Sequence, residues 1–167
     1  MSNNELLLGV IIVLVITLIA VIWGAFKKDG PAHYTQPDAA TKMMQLQAYE
    51  RLALLVERIS LPNLITRVGI AGITAREMQL LLTQNIRQEF DYNISQQVYV
   101  TTDAWNAVKN LKEQNLLAIN QIGNTLPPNA TGLDLNKQLL DYLMNDKKGS
   151  LHEIVSGVVS NEAKKIL

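Results

Sequence analysis

Cysteine is absent from the 167 residues, which excludes disulfides, cysteine nucleophiles, thiolate metal sites and a lipid-modified N-terminal cysteine while leaving the compartment open. An excess of either charge is missing too. With 15 basic and 15 acidic residues the formal net charge is zero, so nothing sequence-wide points to nucleic acid. Histidine is scarce, with only His33 and His152, and neither belongs to an HExxH pair or a Glu-helix-His repeat. A protein-built zinc or di-iron site therefore lacks a ligand set, and no metal and no cofactor is expected. No serine lies in GxSxG or SxxK, so no catalytic nucleophile is assigned. The glycines of RVGIAGITAR, Gly69 and Gly72, have neither GxGxxG spacing nor a GK[ST] ending, and read as a flexible loop rather than a phosphate cradle.

What is present begins with an uncharged run. Residues 6–26 contain no charged side chain and only one plainly polar residue, Thr17. As a helix they reach roughly 31 Å, the thickness of a bilayer's hydrocarbon core. A cleaved signal peptide fits less well: there is no basic stretch before the run, the run is long, and no small-x-small site follows. Trp23 sits near one end as interfacial aromatics do, and Lys27 and Lys28 follow the span with no Lys or Arg before it. Basic flanks stay cytoplasmic. The expectation is a single-pass anchor in membrane lipid, N-terminus outside, C-terminal domain cytoplasmic.

Three segments follow from this reading: an anchor with its basic flank over 1–28, a Pro/Gly linker over 29–38 (DGPAHYTQPD), and a helical domain over 39–167. Helical spacing predicts α-helices over about 39–60, with Met43, Leu46, Tyr49, Leu52, Ala53, Val56 and Ile59 on the inner face and Leu54 and Leu55 widening it. A short helical turn is expected at 62–68. Thr74 and Glu77 have capping-box spacing, opening a helix to about Gln97 with the ladder Met78, Leu82, Ile86, Phe90, Ile94 and Val98, unless it ends near 92–95. Thr101 or Thr102 caps a helix over 103–122 closed by Gly123. Further helices are expected over 132–145 and from Ser150, which with Glu153 repeats the capping box. No repeat of fixed period is visible. The fold class is all-α: one N-terminal transmembrane helix, a short linker, and a bundle of four to five helices.

The densest polar cluster is Arg87, Glu89, Asp91, Asn93, Gln96 and Gln97. On a helix Arg87 and Asp91 pair at i, i+4, while Glu89, Asn93 and Gln96 share another face. Glu89 and Asp91, two apart, point in different directions and make a poor carboxylate dyad. The cluster is the candidate partner-binding face. His152 reads as a surface or rim residue, Met43, Met44 and Trp105 as core. Asn93-Ile94-Ser95 and Asn129-Ala130-Thr131 match the glycosylation tripeptide, which matters only in a secretory lumen.

The runs SLPNLITR (60–67) and IRQEFDYNISQQVYVTTDAW (86–105) resemble an uncharacterised bacterial family of short, N-terminally anchored helical proteins known only as a domain of unknown function. The resemblance implies membrane association in bacteria and transfers no active-site residue; with the orientation read from Lys27 and Lys28, the expected location is the bacterial inner membrane. The function expected is that of a non-enzymatic anchored scaffold binding a protein partner or its own copy. The alternatives are a membrane-surface hydrolase using Glu89, Asp91 or His152 with a metal supplied by substrate, and a bundle pocket for an apolar ligand or lipid.

Overall fold

A computed structural model describes residues 15, 17–19, 38–145 and 151–167. The chain divides into two compact units, Met1–Asp38 and Ala39–Leu167. In the first, Val15, Thr17, Leu18 and Ile19 are helical and exposed. Among the described residues no helix is long and apolar enough to cross a membrane. Most of the run 6–26, including Trp23, lies outside the described residues, as do Lys27, Lys28, His33 and Ser150.

The second unit is all-α among its described residues. Its helices are α1 (Ala39–Ile59), α2 (Leu61–Val68), α3 (Ala75–Tyr92), α4 (Thr102–Thr125), α5 (Gly132–Asn145) and α6 (Leu151–Lys164), with a 3-10 turn at Ile94–Val98 between α3 and α4. α1 packs along α6, α6 along α4, and α3 against both α4 and α5. Leu52, Leu55, Ile59, Leu64, Leu82, Ile86, Ile119, Leu135 and Leu139 are fully buried, each contributing about 1.5–3 kcal/mol relative to exposure. The expected inner face of α1 holds at Tyr49, Leu52, Val56 and Ile59, and Leu55 joins it. Leu54, Met43 and Met44 do not: they are 63%, 58% and 53% exposed, because Leu54 falls on the side of α1 opposite the core and the two methionines lie in its outer first turns. Ala53, also expected on the inner face, is exposed too.

Two polar contacts, the first part-buried and the second buried, lock this packing across long stretches of chain. The Tyr49 hydroxyl donates to Thr101 Oγ1 (3.2 Å) and accepts from Thr101 N (2.9 Å), fixing α1 against the start of α4. Asn115 Nδ2 donates to Ile59 O at 2.7 Å, satisfying one of the carbonyls that the end of α1 leaves without an intrahelical partner.

One helix end decides between two alternatives and another differs from expectation. α3 stops at Tyr92, the earlier of the two ends foreseen. Asn93 N bonds Phe90 O (3.0 Å) and its side chain donates to Glu89 O (2.9 Å), tightening the chain into the 3-10 turn. The last two rungs of the expected ladder consequently leave the core, with Ile94 and Val98 47% and 74% exposed. α4, by contrast, runs past Gly123 to Thr125 and ends before Leu126, which is extended at φ −75°, ψ 146°, as a residue preceding proline must be. Gly123 is a packing residue instead. A β-carbon there would lie 2.7 Å from Gln79 Cδ.

α2–α3 and α4–α5 form two helix–loop–helix units whose connecting loops, 69–74 and 126–131, have the same length. The loops meet in an antiparallel bridge between Thr74 and Thr131. Ala75 N donates to Ala130 O (2.9 Å) and Gly132 N to Ile73 O (2.8 Å). Shifting every residue by the 57 positions that separate Thr74 from Thr131 exchanges these two bonds, so the bridge carries a local two-fold axis. Both following helices open with a capping box. Thr74 Oγ1 accepts from Glu77 N while Glu77 Oε2 accepts from Thr74 N, and Thr131 and Asp134 repeat both bonds. Only Asn63/Asn120, Ile65/Ile122, Thr74/Thr131 and Leu82/Leu139 are identical between residues 61–88 and 118–145, which is why the repeat is invisible without the fold.

Candidate functional site

The expected partner-binding cluster does not form one face. Arg87 and Asp91 are exposed and, among the described residues, do not pair with each other. Gln97 is exposed, the Gln96 side chain donates to its neighbour Ser95 Oγ (3.3 Å), and Asn93 is 93% buried. Glu89 points inward between α1 and α2. Its carboxylate accepts from Arg58 Nη2 at 2.6 Å and lies 3.4 Å from Arg67 Nη1. The hydrogen bond and the charge of Glu89 raise the Arg58 pKa above its ordinary value. Arg67 Nη2 also donates to Arg58 O (3.1 Å), so one carboxylate fastens three helices. Its side chain is only 15% exposed, which makes it a structural tie more than a contact point.

Beside this tie lies a groove of about 610 Å³ between α1 and α3. Leu54, Leu55, Arg51 and Arg58 form one wall, Gln88, Glu89, Tyr92 and Asn93 the other. Leu54 is 63% and Tyr92 76% exposed. Tyrosine and arginine are the side chains enriched in protein-binding hot spots, and the exposed leucine adds apolar area to the same groove. Of the expected cluster only Glu89 and Asn93 reach this groove. The sequence reading missed Arg51, Leu54 and Arg58, which recur at i, i+3, i+7 on the outer face of α1 and so carried a helical signal of their own.

His152, on the first turn of α6, sits at the rim of a smaller cavity of about 180 Å³ lined by Leu61, Leu111, Asn115 and Tyr142. Its Nε2 lies 3.0 Å from Glu57 Oε1, and Glu57 accepts from Asn63 Nδ2 through its carboxylate and its carbonyl, each at 3.1 Å. This connects α6 to the end of α1. Among the described residues no group of three His, Asp or Glu side chains is placed to hold a metal ion.

Trp105 and Phe90 pack in a tilted pair, with ring centroids 5.1 Å apart and planes 35° from parallel, and Lys112 Nζ lies 4.3 Å from the Phe90 centroid. A cation over an aromatic face is stabilising, and here it closes one edge of the α3–α4 interface. The loop with Gly69 and Gly72 lines a third groove, of about 460 Å³, against the start of α5. Gly72 has φ +82°, a conformation that glycine adopts without strain.

The model of a family described as a family of unknown function (DUF7935) matches residues 5–166. No curated protein and no solved structure matches the chain.

Proposed function

The chain belongs to this family of unknown function, and from that premise we propose that it is an anchored helical scaffold: a single-pass membrane protein whose helical domain docks a protein partner. The observation that carries the docking half is the α1–α3 groove, where Leu54 and Tyr92 stand exposed between Arg51, Arg58 and Gln88. Burial of these two side chains by a partner removes apolar area from water, and the arginines supply hydrogen-bond donors at the rim. The anchoring half rests on the uncharged residues 6–26, and the orientation on Lys27 and Lys28. In this reading the residues after the anchor face the cytoplasm at a bacterial inner membrane.

The test is purification from native membranes through a C-terminal tag, with crosslinking, comparing the wild type with Leu54→Glu/Tyr92→Ser. A specific protein retained by the wild type and lost by the double variant supports the reading. A protein found in the soluble fraction overturns the anchor, and a monomer recovering nothing the double variant does not also recover overturns the docking surface. A reporter fused at the C-terminus reads the orientation directly.

A further inference from the structure

The groove between α1 and α3 has a counterpart in the second helix–loop–helix unit. α1 packs on α3 as α4 packs on α5, and the offset of 57 positions between Thr74 and Thr131 carries Arg51, Leu54 and Arg58 onto Val108, Leu111 and Asn115. Leucine stands at the same step in both, yet Leu54 is bare while Val108, Leu111 and Asn115 are all buried. Part of the cover in the second unit is the start of a helix. The first turn of α6 lies over the α4–α5 side, where Leu151 packs against the core and, with His152 and Tyr142, walls the remaining cavity of about 180 Å³. Among the described residues no helix does the same for the α1–α3 groove, which stays open at about 610 Å³.

The two grooves also differ in charge. Under α6 the matching α4 positions, Val108 and Asn115, are neutral, whereas the open groove has Arg51 and Arg58 there. Arg58 and Arg67 share the single carboxylate of Glu89. Arg51 is exposed and makes no ion pair among the described residues. Of the other acids on α1, Glu57 is engaged by His152 and Asn63, and Glu50 does not line the groove. On α3, Arg87 and Asp91 are exposed nearby and offset each other. Three guanidinium groups therefore stand against one carboxylate, and the groove is positive.

We propose that the α1–α3 groove receives an acidic amphipathic helix of a partner protein, which sets apolar side chains on Leu54 and Tyr92 and carboxylates against Arg51 and Arg58. The helical form follows from the counterpart groove, which is covered by a helical turn, and an amphipathic helix laid in a groove is a recurring mode of recognition. The acidic flank follows from the uncompensated arginines, because complementary charge steers a partner to its site and suppresses wrong ones. The inference rests on the docking groove of the proposed function and is independent of the anchor.

The experiment titrates the full chain, held in nanodiscs of zwitterionic lipid with empty discs as the blank, into fluorescein-labelled peptides and reads binding by fluorescence anisotropy. The acidic probe is two heptads of Leu-Glu-Ala-Leu-Glu-Ala-Glu stapled into a helix, and the basic probe carries lysine for each glutamate. A third probe is the acidic sequence without the staple and with a central proline, which breaks the helix. The acidic probe is expected to bind at least about tenfold more tightly than the basic one, as opposite and like charges at a rim require, and to weaken as salt is raised. Arg51→Glu is expected to reverse that order, Arg51→Lys to keep it, and Leu54→Ser to weaken the acidic probe about fivefold or more. Both positions are exposed, so thermal unfolding of these variants should match the wild type. Equal binding of acidic and basic probes, an order that Arg51→Glu leaves unchanged, or equal binding of the proline probe overturns the proposal. So does a dimer in sedimentation that Leu54→Ser abolishes, which assigns the groove to a second copy. A native partner lost with Leu54→Glu/Tyr92→Ser, from a chain without the acidic preference, keeps the docking surface and removes its acidic occupant. The acidic preference with no native partner recovered removes the scaffold and supports the chemistry of the groove.

Discussion

The first helix–loop–helix unit, α2–α3, and the second, α4–α5, share a loop length, a capping box and a symmetric pair of backbone bonds, yet they spend their buried polar position differently. In the first, Gln79 is held between Arg76 and Asn120 and seals the space over Gly123. In the second, Asn136 stands against an open groove with its oxygen unpaired. The contrast teaches that the repeat conserves what builds the fold, namely caps and apolar rungs, and leaves free what surrounds it. Leu82 and Leu139 are both fully buried and occupy the same rung.

The largest expected effects test that sameness. Leu82→Ala and Leu139→Ala should each destabilise the domain by about 2–5 kcal/mol in chemical denaturation, and similar values would support the structural equivalence of the two units. A loss under about 1 kcal/mol at either site breaks it. Next comes the difference. Gln79→Leu takes the partner from half-buried Asn120 and should cost about 1–3 kcal/mol, whereas Asn136→Leu removes an unpaired oxygen and should be neutral or stabilising in the same assay.

Gly123→Ala should also cost about 1–3 kcal/mol through overpacking against Gln79, while Thr66→Ala, at the counterpart position, should stay within about 0.5 kcal/mol because Thr66 is exposed. The caps come after these. Thr74→Ala and Thr131→Ala should each lower stability by about 1 kcal/mol. Last is the response to acid. Hydrogen bonds from the backbone and then the side chain of Thr74 hold the Glu77 carboxyl below its ordinary pKa, and Thr131 does the same for Asp134. A depressed folded pKa gives stability that is present above the ordinary carboxylate range and is lost as pH falls through the depressed value. Melting curves should therefore move down on acidification below about pH 4, and less steeply in Glu77→Gln than in the wild type.

Much of the fold was legible in the sequence. The bounds of α1 and α5, the capping box of α3 and the Thr101 cap of α4 follow from local signals, since a cap needs only residues three apart and a helix face only a 3.6-residue period. The Thr131/Asp134 box had the same spacing as Thr74/Glu77 and was equally readable. The candidate site was less so. Leu54 and Leu55 are adjacent and equally apolar, and only the packing of α1 on its neighbours sends one into the core and the other to the groove. Glu89 looked like a surface acid until the fold brought Arg58, 31 positions away, within hydrogen-bond reach.

Residue order alone settled the helical class and the main helix starts of the domain, because these depend on hydrophobic period and on caps within one turn. It also supplied the uncharged run 6–26 and its basic flank, on which the proposed anchor rests. Tertiary structure decided where α3 stops, why Gly123 is a glycine, that two dissimilar halves are a two-fold pair, and that Asn136 is left without a donor. Each of those depends on atoms that meet across dozens of residues, and whether a buried polar group is satisfied is a property of the neighbours that folding brings to it.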